Sequence, residues 1–220
     1  NPQACYETEL IYVKTDKPKN IAVIGAGPAG MSFATVAAQR GHNVTLFDQD
    51  TQVGGQFNIA KQVPGKEEFY ETIRYFDVMM KKHGVNLQLG KRVSADDVKE
   101  FDEVVLATGI APRQLPLEGI NHPKVLSYIE VLRDKKPVGK RVAVIGAGGI
   151  GMDTSEYLTH DPSHAPASID INEYLREWGI DKTLQARSGI EGMSEEVAPS
   201  PREVYLLKQK NKKITGPGKT

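Results

Sequence analysis

A short glycine-rich run near the start of the chain has the residue types that bind a phosphate group. Glycine at its first position permits a tight turn, and glycine at its third lets a phosphate approach the backbone. Glycine at its sixth position permits a helix to pack closely on a strand. The free N–H groups and the dipole at the start of that helix attract negative charge. We therefore predict a dinucleotide-binding turn at Gly25-Ala26-Gly27-Pro28-Ala29-Gly30.

One acid follows this turn at the separation where a nucleotide's ribose is bound. Asp48 comes about 20 residues after Gly30, at the end of the next apolar, β-branched run. A carboxylate at the end of a second strand accepts hydrogen bonds from the hydroxyls of an adenosine ribose. Asp48 is therefore a candidate cofactor-binding residue, but it does not distinguish NAD from FAD.

The same pattern returns later in the chain. The segment IAVIGAG at residues 21–27 is nearly repeated as VAVIGAG at residues 142–148. This internal repeat predicts a second dinucleotide-binding unit of the same type. The candidate residues of the second turn are Gly146, Gly148, Gly149, Ile150 and Gly151.

The second turn lacks the acid that would bind a ribose. Asp153 lies inside the expected helix, and the next predicted strand begins only at Val204 and is followed by Lys208 and Lys210. A carboxylate at this position would repel a 2′-phosphate, whereas lysine would attract it. We therefore hypothesise that this unit binds NADPH rather than NADH, with Lys208 or Lys210 near the 2′-phosphate. The alternative is that these lysines form a solvated basic surface.

Strands and helices alternate around the two turns, as a parallel sheet with right-handed crossovers requires. Short apolar, β-branched runs predict buried strands, and apolar residues at helical spacing predict the helices. The predicted strands are residues 20–24, 44–48, 86–89, 102–107, 140–145 and 204–207, and the predicted helices are 31–40, 66–83, 128–133 and 171–178. The expected fold class is α/β, with a second, truncated Rossmann-like unit inserted into a first one.

Composition excludes several other classes of protein. Lysine plus arginine and aspartate plus glutamate each number 28, so the basic charge typical of a nucleic-acid binder is absent. The single cysteine, Cys5, excludes an internal disulfide framework. Residues 21–38 carry no charge, but their glycines and Pro28 predict a strand, a turn and a helix, which argues against a membrane span. Since no signal peptide is evident, we expect a cytoplasmic protein.

The remaining titratable residues carry no assigned chemistry. Cys5 has no neighbouring ligand residues and is interpreted as a plain thiol. His160 and His164 have helical spacing with Asp161 near, but Pro162 disfavours a continuous helix and predicts a surface loop. We assign no catalytic residue and no metal ligand within this chain.

Two further segments resemble those of flavoproteins that contain two dinucleotide-binding domains. One is Gly54-Gly55-Gln56, which follows Asp48, and the other is Ala107-Thr108-Gly109, which ends a later predicted strand. In that family both segments bind FAD, so the resemblance implies FAD at the first turn and a nicotinamide dinucleotide at the second. The candidate residues added on this basis are Gly54, Gly55, Gln56, Ala107, Thr108 and Gly109, and Val93 completes the cofactor-binding set.

Longer stretches are similar to bacterial NADPH-dependent 2,4-dienoyl-CoA reductases, which belong to the trimethylamine dehydrogenase-like flavoproteins. The stretches are GGQFNIAK at 54–61, PGKEEF at 64–69, HPKVLSY at 122–128 and EWGID at 177–181. The resemblance implies a barrel carrying FMN, a 4Fe–4S cluster and a C-terminal FAD/NADPH region, of which only the last is represented here. Hydride would pass from NADPH to FAD, and electrons would then cross the cluster to FMN, which reduces the dienoyl thioester. FMN, the cluster and the enoyl-CoA substrate would all bind outside this chain.

The sequence also predicts how the chain is divided. We expect an N-terminal arm at 1–19, the first part of an FAD-binding unit at 20–111, a crossing segment at 112–139 and an incomplete NAD(P)H-binding unit at 140–220. In such a fragment we expect FAD binding to be weakened or absent. Two alternatives stay open: a non-catalytic ADP-binding or nucleotide-binding module of a related flavoprotein, and a glutamate-synthase-like small subunit.

Overall fold

The computed structural model describes residues 4–113 and 116–208 and divides the chain into two compact units. The first unit comprises Asn1–Asn58 and Phe69–Gln114, and the second comprises Ile59–Glu68 and Leu115–Thr220. In this division, residues 59–68 group with the second unit rather than with the residues adjacent to them in sequence.

The first unit is built on a four-stranded parallel sheet in the order β3-β2-β1-β4. Its strands are β1 (Asn20–Ile24), β2 (Asn43–Phe47), β3 (Asn86–Gln88) and β4 (Glu103–Leu106). Strand β1 therefore has a partner on each side. This arrangement confirms the predicted parallel α/β fold, and each strand lies within two residues of its predicted bounds.

Helices connect these strands. They are α1 (Pro28–Gln39), α2 (Phe57–Ala60), α3 (Glu68–Lys82) and α4 (Ala95–Val98). Helix α1 begins at Pro28 rather than at the predicted Met31, since proline is well suited to the first helical position, where no N–H is needed. The chain leaves the first unit within α2 and returns at the start of α3.

Side chains from both sides of the sheet form the core of the first unit. Val23 of β1, Leu46 of β2 and Met31 of α1 are completely buried, as is Met80 of α3. The consecutive residues 21–23 of β1 are all buried, and Ile21 and Val23 pack in one cluster with Met31 and Met80. The core thus fixes the end of β1, from which the first glycine turn begins.

Up to residue 208, the second unit contains a smaller sheet of two parallel strands, β5 (Arg141–Ile145) and β6 (Glu203–Leu207). Its helices are α5 (Tyr128–Leu132), α6 (Gly149–Thr159) and α7 (Ile171–Glu177), with one 3-10 turn at Arg187–Gly189. Residues Ile59 and Val63 pack with Leu132 in its core, which explains why the segment 59–68 belongs to this unit. Within residues 4–113 and 116–208, no helix is long and apolar enough to cross a membrane.

Candidate dinucleotide-binding sites

The first glycine turn leaves no room for side chains where it meets the sheet and the helix. Gly25 has a φ of +109° and donates from its N–H to the carbonyl oxygen of Phe47 over 2.7 Å. A Cβ on Gly25 would lie 2.3 Å from the carbonyl oxygen of Ala107. A Cβ on Gly30 would lie 1.8 Å from the carbonyl oxygen of Gly25. Glycine is therefore required at both positions for the turn to close.

Gly27 is a glycine of a different kind, because it faces open space. A Cβ placed there would meet nothing within 4 Å. Gly27 is the N-cap of α1, and no side chain caps this helix. By contrast, the side chains of Ser127 and Asp170 accept hydrogen bonds from the first N–H groups of α5 and α7. The N-terminus of α1 therefore presents its N–H groups to an incoming anion.

Asp48 helps to build the first turn through its carboxylate. Its Oδ2 accepts a hydrogen bond from the N–H of Ala26 over 2.6 Å, and its Oδ1 accepts one from the N–H of Asp50 over 2.8 Å. The sequence did not reveal either bond. Each carboxylate oxygen has two lone pairs, so both oxygens can still accept from a ribose hydroxyl.

The Gly54-Gly55 segment lies against the first turn. The N–H of Gly54 donates to the carbonyl oxygen of Ala26 over 2.8 Å, and a Cβ on Gly55 would lie 3.0 Å from the Cα of Gly27. Both glycines have positive φ, +121° and +50°. The structure thus brings together the turn and a segment more than twenty residues away, while Gln56 beside them is exposed.

Ala107, Thr108 and Gly109 follow the end of β4, whereas Val93 lies before α4. Ala107 donates from its N–H to the carbonyl oxygen of Ile24 over 2.8 Å, which places it beside the turn. Thr108 and Gly109 follow it and are exposed, and Gly109 has a φ of +70°. Val93 is half-buried in the segment that precedes α4.

The second glycine turn has the same local geometry as the first. Gly146 has a φ of +115° and donates from its N–H to the carbonyl oxygen of Leu207 over 2.8 Å. A Cβ on Gly151 would lie 1.8 Å from the carbonyl oxygen of Gly146. At Gly148 and Gly149 a Cβ would meet nothing within 4 Å, and Gly148 caps α6 without any side-chain hydrogen bond. Ile150, in the first turn of α6, is exposed.

The two turns differ in the residue that follows the neighbouring strand. Ile24 pairs with Phe47 in the first sheet, and the next residue is Asp48. Ile145 pairs with Leu207 in the second sheet, and the next residue is the exposed Lys208. Lys208 therefore occupies the register position of Asp48. Lys210, the other predicted contact to a 2′-phosphate, lies outside the described residues.

His160 and His164, to which the sequence assigns no chemistry, lie in a loop that follows α6. The ring Nε2 of His160 lies 3.0 Å from the carbonyl oxygen of His164, and Asp161 accepts hydrogen bonds from the N–H and hydroxyl of Ser163. The N–H of Ser163 is the main cause of the lowered pKa of Asp161. Across the described part of the chain, no group of three His, Cys, Asp or Glu side chains could hold a metal ion.

The chain is similar to known proteins over most of its length. Residues 19–187 match the family described as pyridine nucleotide-disulphide oxidoreductase. The chain is 38% identical over 189 residues to a bilirubin reductase from Mediterraneibacter gnavus, covering 85% of this chain and 29% of that protein. It is 38% identical over 182 residues to a cinnamate reductase from Clostridium sporogenes, covering 81% of this chain and 27% of that protein. The chain thus spans less than a third of either relative.

A solved structure is similar over most of the chain. A 2-naphthoyl-CoA reductase in complex with 2-naphthoyl-CoA superimposes with a TM-score of 0.67 at 26% identity. The match covers 94% of this chain and 36% of the other. Both units of the present structure therefore have counterparts in a larger reductase.

Proposed function

The chain belongs to the pyridine nucleotide-disulphide oxidoreductase family, and from this premise we propose that it is the FAD- and NADPH-binding region of a reductase acting on 2,4-dienoyl-CoA thioesters. The observation that carries the proposal is the pair of glycine turns with uncapped helices and with Asp48 and Lys208 at the same register position. Members of this family bind FAD and a nicotinamide dinucleotide. We assign FAD to the first turn, beside which Asp48 lies.

The residues of the first unit fit a dinucleotide. Gly27 leaves space for a pyrophosphate against the uncapped N-terminus of α1, and the dipole of that twelve-residue helix favours the negative charge. Asp48 is held by two backbone N–H groups, so its oxygens are oriented before a ribose arrives. Gly55 keeps the wall of the site free of a side chain beside Gly27.

The residues of the second unit favour NADPH. The uncapped N-terminus of α6 would hold the pyrophosphate, as α1 does in the first unit. Lys208 stands where the ribose acid stands in the first unit, and an ammonium group there attracts a 2′-phosphate that a carboxylate would repel. This placement supports NADPH over NADH.

The turn after β1 would hold FAD and the turn after β5 would hold NADPH, and together these cofactors would supply hydride-transfer chemistry, with an iron–sulfur cluster and FMN held outside this chain. The substrate would also bind outside this chain, which covers less than a third of its relatives. Those relatives carry the names of different substrates, so we infer that the present region is shared and that other parts of the protein select the substrate. Similarity to a 2-naphthoyl-CoA reductase supports an acyl-CoA thioester. The proposed location is the cytoplasm.

The visible spectrum of the whole protein, purified with the parts that lie outside this chain, tests this proposal. Flavin bands that bleach on anaerobic addition of NADPH, and more slowly with NADH, are the expected result. In the whole protein, oxidation of NADPH should then depend on added 2,4-dienoyl-CoA. A colourless protein that retains ADP would instead support the non-catalytic nucleotide-binding module. Flavin that bleaches faster with NADH would overturn the cofactor assignment alone.

A further inference from the structure

An ion pair joins the segment 59–68 to α6 inside the second unit. The Nζ of Lys66 lies 2.5 Å from the Oδ2 of Asp153, and the two side chains are 39% and 31% exposed. The partners are far apart in sequence, and nothing in the periodicity or the motifs relates them. Partial burial distinguishes this pair from the freely solvated pairs on the surface, such as Arg74 with Glu71.

Asp153 lies close to the second glycine turn. It follows Gly149 by four residues on α6, so the two share one face and are separated by about 6 Å along the helix axis. Side chains on a helix lean towards its N-terminus, which carries the carboxylate of Asp153 towards the turn. Lys66 therefore pairs with a carboxylate whose residue lies about one helical turn along α6 from Gly149 in the second glycine turn.

Lys66 is held in place by contacts that do not involve Asp153. Its N–H donates to the carbonyl oxygen of Val63, whose side chain is buried in the core of the second unit. On its other side, Glu67 accepts hydrogen bonds from the N–H of Gly65 over 3.1 Å and from the hydroxyl of Ser168 over 2.6 Å. The backbone at Lys66 thus stays beside α6 whether or not the ion pair is formed.

The charges of this pair have opposite consequences for an anion at the turn. The carboxylate of Asp153, the fifth residue of α6, repels a pyrophosphate bound at the turn, whereas the ammonium of Lys66 attracts it. We propose that Lys66 binds the cofactor of the second unit: its ammonium pairs with Asp153 in the free protein and with the pyrophosphate when the dinucleotide binds. The inference rests on the proposed function, because it assumes that the second turn binds NADPH.

The test compares two variants that remove the same ion pair. In the full chain, Lys66→Ala should raise the Kd for NADPH by about threefold to tenfold, because one positive charge beside the pyrophosphate is lost. Asp153→Asn should lower the Kd by about twofold to fivefold, because it removes the competing negative charge. Lys66→Arg should bind NADPH like the unaltered chain. If the pair were purely structural, both variants would change the Kd in the same direction.

Adenosine 2′-monophosphate, which lacks a pyrophosphate, provides the control ligand. Its affinity should be the same in the unaltered chain and in Lys66→Ala, and the salt dependence of NADPH binding should be weaker in the variant. Melting temperatures should fall equally in Lys66→Ala and Asp153→Asn. An unchanged Kd for NADPH in Lys66→Ala, or an equal loss of affinity for both ligands, would overturn the inference alone. Absence of NADPH and NADH binding in the unaltered chain would overturn the proposed function and this inference with it.

Discussion

The two glycine turns share their backbone and differ in what surrounds it. In each, a Cβ on the last glycine would lie 1.8 Å from the carbonyl oxygen of the first. Strand β1 has partners on both sides and is largely buried, whereas among the described residues β5 pairs with β6 alone and alternates between exposed and half-buried positions. A Cβ on Gly25 would strike Ala107, but one on Gly146 would meet nothing within 4 Å.

A glycine motif specifies the local backbone of a turn but not the nucleotide that the turn binds or the stability of the turn. The motif specifies a strand, a tight turn and an uncapped helix, and these are the same in both units. The choice of nucleotide depends on the residue after the neighbouring strand, and the stability of the turn depends on the packing around its strand. Four predictions test this separation, beginning with the largest expected effect.

Substitution of the last glycine of the first turn should disrupt the fold most. In Gly30→Ala the new Cβ would meet a backbone oxygen that cannot move without displacing β1 or α1, so we expect a loss of about 3–5 kcal/mol in unfolding free energy. The measurement is urea unfolding followed by circular dichroism. Gly27→Ala is the matched control, since its Cβ meets nothing and it should weaken FAD binding with a loss below about 1 kcal/mol. Equal losses of stability in the two variants would contradict this account.

Truncation of one leucine in each sheet should show that the two strands differ in packing. Leu46 of β2 is completely buried, so Leu46→Ala should cost about 3 kcal/mol through lost contacts and a cavity. Leu206 of β6 is half-buried, and Leu206→Ala should cost about 1 kcal/mol. Thermal unfolding of the two variants checks the difference. A larger loss for Leu206→Ala would mean that β6 is covered more completely than the described residues show.

The residue after the second strand should decide the nicotinamide cofactor. Lys208→Glu would restore an acid at the register position of Asp48. We expect the ratio of kcat/KM for NADPH to that for NADH to fall by about tenfold to a hundredfold, or roughly 1.4–2.8 kcal/mol, in the complete enzyme. Lys208→Arg should keep the preference for NADPH. A ratio unaffected by Lys208→Glu would leave this lysine as a solvated surface residue.

Much of the first unit could be predicted from the sequence, because its signals are local. The β-branched run at residues 20–24 predicts β1 with the bounds it has, and the acid after the second strand is found at the end of β2. The sequence does not predict the four-residue helices α2 and α4, since one helical turn is too short for apolar periodicity to show. The start of α1 was placed three residues late because Pro28 was assigned to the turn.

The contacts that complete each site could not be predicted, because they join residues distant in sequence. Ala26 donates to Asp48 only because β1 and β2 pair in the register that brings the turn beside the strand end. Lys66 meets Asp153 only because Ile59 and Val63 pack in the core of the second unit. Neither contact produces a pattern along the chain. That Lys208 occupies the position of Asp48 can be seen only from the register in which β5 and β6 pair.

The smallest predicted effect concerns the loop at residues 181–186 of the second unit, whose backbone N–H groups donate to one carboxylate. The Oδ1 of Asp181 accepts hydrogen bonds from the hydroxyl and N–H of Thr183, and its Oδ2 accepts from the N–H groups of Gln185 and Ala186. These bonds, that of the Thr183 hydroxyl foremost, lower the pKa of Asp181 from 3.8 to about 2. Since the folded pKa lies below the unfolded one, the stabilisation is present above about pH 4 and is lost as the pH falls towards 2.

NMR titration of the Asp181 carboxyl should therefore give a midpoint near 2, and the amide signals of Gln185 and Ala186 should shift over the same range. The amides of β1, which are held in the packed core, should not shift there. Asp181→Asn should abolish the titration and displace both loop amides already at neutral pH, because a carboxamide cannot accept at both positions. A midpoint near the usual 3.8 would show that the carboxylate does not organise the loop. Together, the loop and strand amides test whether local hydrogen bonds hold this loop where burial holds β1.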